Sequence, residues 1–211
     1  MAKTKPFDEH VKEYEQWFND NYYVFKSELE AVREVLPAGV KGLEIGIGGG
    51  IFAEPLGIKE GVEPSLPMRE KANERGIYPV DGVAEELPFA DESYDYALMV
   101  TTICFVDDIK KAFKEAHRVL KENGNLILGF VDKNSPVGKS YLKNKDKSLF
   151  YKDAVFYSTK DITEMLKTNG FSIISTSQTI FNPLDEVKTI QPPAKGSDKG
   201  SFVVIKAKKD G

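Results

Sequence analysis

A short apolar run leads directly into a glycine-rich loop at residues 41–52, KGLEIGIGGGIF. Glycine adopts positive φ without steric cost, and its missing side chain lets a ligand approach the backbone closely. A strand that passes through Gly46, Gly48 and Gly50 into a helix therefore forms a flat floor at the carboxyl edge of a sheet. Such a floor is typical of α/β proteins that bind a nucleoside-containing ligand at that edge.

Strand patterns and helical patterns alternate along most of the chain. The segments predicted as short buried strands are VKGLEIG, IKEGVE, GIYPVDG, YDYALMV and NLILGFV. Alternation with helices predicts parallel pairing in an open, doubly wound sheet. FSIISTSQTI and SFVVIKAKK follow with no helix between them, so these two must pair antiparallel. We therefore predict an α/β fold whose mostly parallel, seven-stranded sheet has an antiparallel last strand.

Two further segments are expected to flank the ligand crevice. Residues 1–37 carry apolar residues at helical intervals, which predicts an N-terminal helical cap of two helices with a break near residues 19–21. Residues 133–158 form a long connection after the last parallel strand, where such a sheet has its ligand crevice. Long loops in that place are often lids, so we expect a lid insertion there. A chain of 211 residues with 41% hydrophobic residues suits a single domain, 1–211.

Composition narrows the classes of partner. A net charge of −4 gives no concentrated basic face for nucleic acid or an anionic membrane. No apolar stretch approaches the roughly 20 residues of a membrane span, and we expect a cytoplasmic protein whose partners are small molecules or proteins. Cys104, His10 and His117 are the cysteine and histidines of the sequence, so we expect neither an internal disulfide nor a metal site.

The glycine pattern by itself leaves the ligand open. A P-loop would need Gly-Lys-Ser/Thr after the glycines, where this chain has IFA, so nucleotide triphosphates are disfavoured. The dinucleotide fingerprint is met only in a looser form, by Gly48, Gly50 and Ala53. Glu63 ends the second strand, and an acidic residue there can accept hydrogen bonds from both ribose hydroxyls. These residues predict a nucleoside without identifying it, and a solvated carboxylate is the alternative for Glu63.

Four segments resemble the class I S-adenosylmethionine-dependent methyltransferases, in particular the small-molecule branch that includes the ubiquinone and menaquinone biosynthesis enzymes. LEIGIGGG is similar to the first motif of that family, and GVEPS to the acidic end of its second strand. GVAEELPFADESYDYALMV is similar to the adenine-contacting loop and the strand after it, and AFKEAHRVLKENGNLIL to the following helix and strand. The resemblance implies a Rossmann-like methyltransferase fold, S-adenosylmethionine as the cofactor, and methyl transfer to a small molecule through an N-, O- or C-nucleophile.

The matched motifs also imply which residues bind the cofactor. The glycine loop would line its methionine part, with Glu44 ordering that loop, and Glu63 would hold the ribose hydroxyls. The other matched segments would contact the adenine and the amino-acid end. The residues assigned to the cofactor in this way are Glu44, Gly46, Gly48, Gly50, Glu63, Pro64, Ser65, Ala84, Glu85, Val100 and Thr101.

Two positions depart from the family's pattern. Val83 stands where family members usually have an aspartate that accepts from the adenine amino group; either Glu85 substitutes for it or that hydrogen bond is absent. Cys104 and Phe105 stand where the family often has histidines, so no catalytic residue is assigned. A missing base favours an acceptor that arrives neutral or activates itself, such as an unprotonated amine.

The methyl acceptor is expected among the aromatic residues of the cap and the lid. Asp132, directly after the last parallel strand, is the best carboxylate candidate for a cationic amine, and a loop carboxylate with no ligand is the equal alternative. The residues assigned to the acceptor pocket are Tyr14, Phe18, Thr102, Phe105, Asp132 and Tyr141. Two competing functions stay open: a nicotinamide-dependent oxidoreductase, and a cofactor-binding protein without catalysis.

Overall fold

The computed structural model describes residues 3–211, and in that part of the chain seven strands form one sheet. The strands are β1 (Gly42–Ile45), β2 (Glu60–Val62), β3 (Tyr94–Val100), β4 (Leu120–Val131), β5 (Phe171–Thr179), β6 (Ala194–Lys195) and β7 (Phe202–Lys209). Their order across the sheet is β2-β1-β3-β4-β7-β5-β6. β1 pairs parallel with β2 and β3, β3 pairs parallel with β4, and β7 lies antiparallel between β4 and β5. The predicted mostly parallel sheet with an antiparallel last strand is confirmed.

Eight α-helices are described in residues 3–211. They are α1 (Lys5–Glu9), α2 (Val11–Asp20), α3 (Tyr22–Val35), α4 (Ala53–Leu56), α5 (Leu66–Glu74), α6 (Ile109–Val119), α7 (Pro136–Asn144) and α8 (Thr159–Thr168). The predicted break in the N-terminal helices lies at Asn21, and a second break at His10 divides the first predicted helix in two. Among the described helices, none has the length and apolar character needed to cross a membrane.

The sheet is covered on both faces, as a doubly wound fold requires. On one face α6 and α8 bury Phe113, Ala116 and Leu166 against the sheet. On the other face α3 buries Leu29 and Val32. Fully burying a leucine, valine or phenylalanine side chain contributes about 1.5–3 kcal/mol, so these two layers hold the helices on the sheet. The carboxyl ends of the parallel strands remain free to form a site at one edge.

One predicted strand is wrong. Residues 76–82, GIYPVDG, make only an isolated parallel bridge between Val62 and Val80. Pro79 has no amide hydrogen to donate to a ladder, which limits the pairing that this edge segment can form. The seventh place in the sheet is taken instead by the two-residue β6, which pairs with β5.

The connection at residues 133–158 contains a helix that the sequence pattern did not predict. Ser135 caps α7 because its Oγ accepts a hydrogen bond from the Gly138 amide at 3.0 Å, and Pro136 occupies the first helical position. Ser followed by Pro is a known helix-start signal, so the local sequence did contain the information. A single turn of 3-10 helix at Lys145–Lys147 follows.

Candidate active site

A cavity of about 480 Å³ lies at the carboxyl ends of the parallel strands. The strand ends contribute Gly46 after β1, Val62 of β2, Val100 of β3 and Val131 of β4 to its wall. This volume is within the usual range of small-molecule sites, and the position is the one where open α/β sheets bind ligands.

The glycine loop after β1 forms one side of the cavity. Gly46 has φ +70°, and a Cβ there would overlap the side chain of Thr102, whose Oγ1 donates to the Val100 carbonyl at 3.0 Å. Gly48 has φ +56°, and a Cβ there would lie 3.3 Å from Met68 Cε and 3.6 Å from the Tyr14 hydroxyl. Gly46 is therefore needed for close packing against the end of β3, whereas Gly48 keeps the cavity wall free of a side chain.

Glu63 connects this loop to the end of β2. Its Oε2 accepts a hydrogen bond from the Gly48 amide at 3.0 Å, and its Oε1 accepts one from the Ser65 amide at 2.9 Å. Burial raises the pKa of this carboxyl, while the two amide bonds and the nearby Arg69 act to lower it. Each carboxylate oxygen can accept a further hydrogen bond, and Glu63 lines the cavity.

Glu44 does not contact the loop in the way that we expected. Its side chain is 2% exposed, and burial, followed by repulsion from Glu63, raises its pKa well above the ordinary value. Within residues 3–211, its Oε2 atom has no hydrogen-bond partner, and no hydrogen bond joins this carboxyl to the loop. Glu44 is a buried acid behind the cavity wall rather than part of it.

The loop before β3 supplies Ala84 and Glu85, two residues of the matched segment, to the cavity wall. The Glu85 Oε1 atom accepts hydrogen bonds from the amides of Asp107 and Asp108 at 2.6 and 3.0 Å. This oxygen therefore ties the loop to the start of α6. Val83, where the family has an aspartate, also lines the cavity.

Three of the predicted residues are used elsewhere in the fold. A Cβ at Gly50 would lie 2.8 Å from Ile77 Cδ1, so this glycine faces the core. The Ser65 Oγ accepts from the Met68 amide and caps α5. The Asp132 carboxylate accepts from the amide and hydroxyl of Thr159, both at 2.6 Å, and lies outside the cavity wall. This corrects the expectation for Asp132, because its carboxylate is consumed in joining β4 to α8.

The remaining wall of the cavity is aromatic, and we call it the aromatic chamber. Its members are Phe7, Tyr14, Trp17, Phe18, Phe52, Phe105, Tyr141, Phe150 and Tyr151. Phe150 lies 5.5 Å from Phe7 and 5.8 Å from Tyr14 between ring centroids, and Tyr141 stacks on Tyr151 at 5.0 Å. The N-terminal helices and the 133–158 segment therefore meet across the cavity, with the predicted Tyr14, Phe18, Phe105 and Tyr141 at the contact.

Glu28 of α3 also lines the cavity, although it is not among the site residues predicted from the sequence. Its side chain is only 5% exposed, and burial raises its pKa to about 8. Val24 and Val32, one helical turn to either side, are fully buried, so Glu28 lies on the apolar face of α3. The sequence did contain a signal for Glu28, because this acidic residue stands at a position where the helical periodicity predicts an apolar one.

The segment after β3 has an unusual backbone conformation at Thr101, and its cysteine, Cys104, is not a reactive nucleophile. Thr101 lines the cavity with φ +51°, a region that a β-branched residue adopts only when its surroundings impose it. Cys104 donates to the Thr101 carbonyl at 3.2 Å, and burial raises its pKa to about 12. A thiol so rarely ionised is a structural group rather than a reactive one.

Comparisons with known proteins identify this arrangement. A family model described as a methyltransferase domain matches residues 43–128. A crystal structure from Thermotoga maritima, described as a SAM-dependent methyltransferase and possible histamine N-methyltransferase, is 48% identical with a TM-score of 0.96, covering 98% of this chain and 100% of that one.

Two curated proteins extend the comparison. Uncharacterized protein MJ1123 of Methanocaldococcus jannaschii is 45% identical over 203 residues, which are 96% of this chain and 98% of that protein. The ubiquinone/menaquinone biosynthesis C-methyltransferase UbiE of Rickettsia rickettsii is 39% identical over 108 residues, 50% of this chain and 40% of that protein.

The residues of the cavity fit S-adenosylmethionine. Gly48 presents no side chain to the cavity that it lines, and the Glu63 carboxylate keeps the acceptor capacity that ribose hydroxyls need. The chain belongs to the class I S-adenosylmethionine-dependent methyltransferases and uses S-adenosylmethionine as its cofactor.

Proposed function

We propose that this methyltransferase acts on a small-molecule acceptor that binds in the aromatic chamber. The observation that carries the proposal is the continuity of one cavity, which runs from Gly48 and Glu63 to the aromatic rings of the N-terminal helices and the 133–158 segment. A cofactor held at the first end would present its reactive group toward the second.

The cofactor is proposed to bind along the strand ends. Gly46 and Gly48 are proposed for its methionine part, Glu63 for its ribose hydroxyls, and Pro64 and Ala84 for its adenine. When bound, S-adenosylmethionine supplies an activated methyl group on a sulfonium centre. Glu63 would hold both the ligand and the loop, because its carboxylate already accepts the Gly48 amide.

The protein's own contribution is alignment and exclusion of water. The rings of Phe7, Tyr14 and Phe150 pack against one another across the cavity, which keeps solvent from the acceptor. Holding two reactants in line in a dry site provides much of the rate enhancement when the chemistry is a displacement at a methyl group. We propose residues 133–158 as a lid and residues 1–37 as a cap on this basis.

The size of the cavity favours a small acceptor over a macromolecule. The chamber has aromatic walls on several sides, and a chain with net charge −4 offers no basic surface for nucleic acid. The Thermotoga relative is described as a possible histamine N-methyltransferase, and histamine is an acceptor of this size class.

Two measurements test the proposal. Isothermal titration with S-adenosylhomocysteine and with NAD should show tight binding of the first and none of the second. Radiolabelled methyl transfer should then be followed over a panel of small amines, phenols and carboxylates. Transfer to a small molecule supports the proposal; bound S-adenosylhomocysteine with transfer only to protein or nucleic acid would contradict it.

A further inference from the structure

Glu28 is a buried carboxyl group without a protein partner. The residue is 5% exposed, and it lines the cavity whose wall also includes Trp17, Phe18 and Tyr141. Across residues 3–211 the structure gives its carboxyl no hydrogen bond and no ion pair. Buried charged groups in proteins are normally paired, so this position is unfavourable for the protein alone.

The surroundings of Glu28 do not compensate its charge. The titratable groups that interact with it are the hydroxyls of Tyr14 on α2, Tyr141 on α7, and Tyr151. Lys206 of β7, which also packs near α3, donates to the Val35 carbonyl at the far end of that helix. Burial is accordingly the cause of the raised pKa of Glu28.

The rings of the aromatic chamber, whose cavity Glu28 also lines, favour positive charge in a ligand. Aromatic faces attract organic cations, and this attraction strengthens where water is excluded. A carboxylate in the same chamber would add a charge-assisted hydrogen bond to such a cation. Binding of a cation would let this carboxyl ionise and form an ion pair, whereas a neutral or anionic ligand would offer it no opposite charge.

We propose that Glu28 is the acceptor-recognition residue, and that the acceptor is a compact organic cation consisting of an ammonium group on an apolar body. Because an ammonium nitrogen has no free electron pair, Glu28 binds the ammonium group and a different, unprotonated atom of that body accepts the methyl group. This inference rests on the proposed function, because it places the acceptor in the aromatic chamber. It assigns to Glu28 the role that the sequence suggested for Asp132, whose carboxylate is occupied by Thr159.

The test compares a cation with its neutral counterpart on protein saturated with S-adenosylhomocysteine. Isothermal titration uses histamine, phenethylamine and 2-phenylethanol as probes, with Glu28→Gln as the variant and Glu30→Gln, an exposed position on the same helix, as the matched control. The wild type should bind at least one of the two amines about 10- to 100-fold more tightly than the alcohol. Glu28→Gln should lose that preference, and Glu30→Gln should keep it.

Proton release provides a second readout that a merely structural role would not change. At pH 7 the Glu28 carboxyl of the unliganded protein is mostly protonated, and pairing with an ammonium group requires it to ionise. Titrations in buffers of different ionisation enthalpy should therefore show close to one proton released per amine bound to the wild type. The alcohol should release none.

The outcomes separate this inference from the proposed function. Failure of the wild type to bind S-adenosylhomocysteine would contradict the proposed function itself. Intact S-adenosylhomocysteine binding with neither amine preferred over the alcohol, or with the preference unchanged in Glu28→Gln, would overturn the role of Glu28 alone.

Discussion

The Gly48 amide donates a hydrogen bond to the Glu63 carboxylate over 3.0 Å, so the acid directly after β2 holds the glycine loop that follows β1. The same carboxylate accepts the Ser65 amide, which joins it to the start of α5. A residue assigned to ligand binding from its sequence position is thus also a structural bridge between two strand ends.

Replacing Glu63 with alanine should therefore affect both binding and stability. We expect the affinity for S-adenosylhomocysteine to fall by about 1.5–3 kcal/mol through loss of hydrogen bonds to a charged acceptor, and the melting temperature to fall because two buried amides lose their partner. Titration calorimetry and thermal denaturation measure the two effects. Glu70→Ala, an exposed position on α5, serves as the control, and unchanged affinity in folded Glu63→Ala would show that this carboxylate does not contact the ligand.

Gly48→Ala should weaken cofactor binding through the space that the new methyl group occupies. Gly57 is the matched control, since it also has positive φ but nothing lies within 4 Å of its added Cβ. Both variants should lose about 1–2 kcal/mol of stability from backbone strain. Only Gly48→Ala should also lose affinity for S-adenosylhomocysteine, by about 1–3 kcal/mol. Equal affinities of the two variants would place the ligand away from this loop.

Arg75 links the N-terminal helices to the glycine loop. It donates to the Gly49 carbonyl at 2.7 Å and to Glu15 of α2 at 2.5 Å. Arg75→Gln should speed S-adenosylhomocysteine dissociation about three- to tenfold, corresponding to roughly 1 kcal/mol for a partly exposed ion pair. Stopped-flow dissociation and hydrogen exchange across residues 5–20 test this. Arg33→Gln, which removes an exposed pair on α3, should change neither measurement.

Glu28 should make stability depend on pH. Its pKa is raised from 4.5 to about 8 by burial, so the unfolded chain gives up this proton at lower pH than the folded protein does. The protonated carboxyl therefore does not reduce the free energy of unfolding below about pH 4.5. Between about pH 4.5 and pH 8 the free energy of unfolding falls as the pH rises, by up to about 1.4 kcal/mol per pH unit.

Glu28→Gln removes this titration from the protein. Its melting temperature should exceed that of the wild type by a margin that grows between about pH 5 and pH 8. Thermal denaturation at half-unit pH intervals measures the difference, and Glu30→Gln is again the control. A difference in melting temperature that stays constant across that range would mean that the Glu28 carboxyl keeps its ordinary pKa in the folded protein.

Local signals in the sequence accounted for the sheet and for one side of the site. Gly46, Gly48 and Glu63 could be predicted as cavity residues from the sequence. In an open α/β sheet, the turn after the first strand and the acidic residue after the second strand lie at the same edge, where the ligand crevice is. The strand assignment of GIYPVDG was wrong because pairing depends on neighbours, and at this edge only Val62 meets Val80.

On the aromatic side of the cavity, the partners and the burial of each carboxyl group depend on residues that are distant in the chain. Asp132 looked available in the sequence, yet Thr159 occupies its carboxylate from 27 positions away. Glu28 looked like one more helical acid, yet it is buried and lines the same cavity as Trp17 of the preceding helix and Tyr141 of the 133–158 segment.

The sequence by itself determined the α/β fold and the glycine floor, because both rest on periodicity or spacing over neighbouring residues, and the resemblance of four segments indicated the methyltransferase family. The tertiary structure alone decided which carboxylate is free in the aromatic chamber and which is not. The physical reason is that the chemistry of a carboxyl group depends on its burial and its partners, and both are set by segments that meet only when the chain folds.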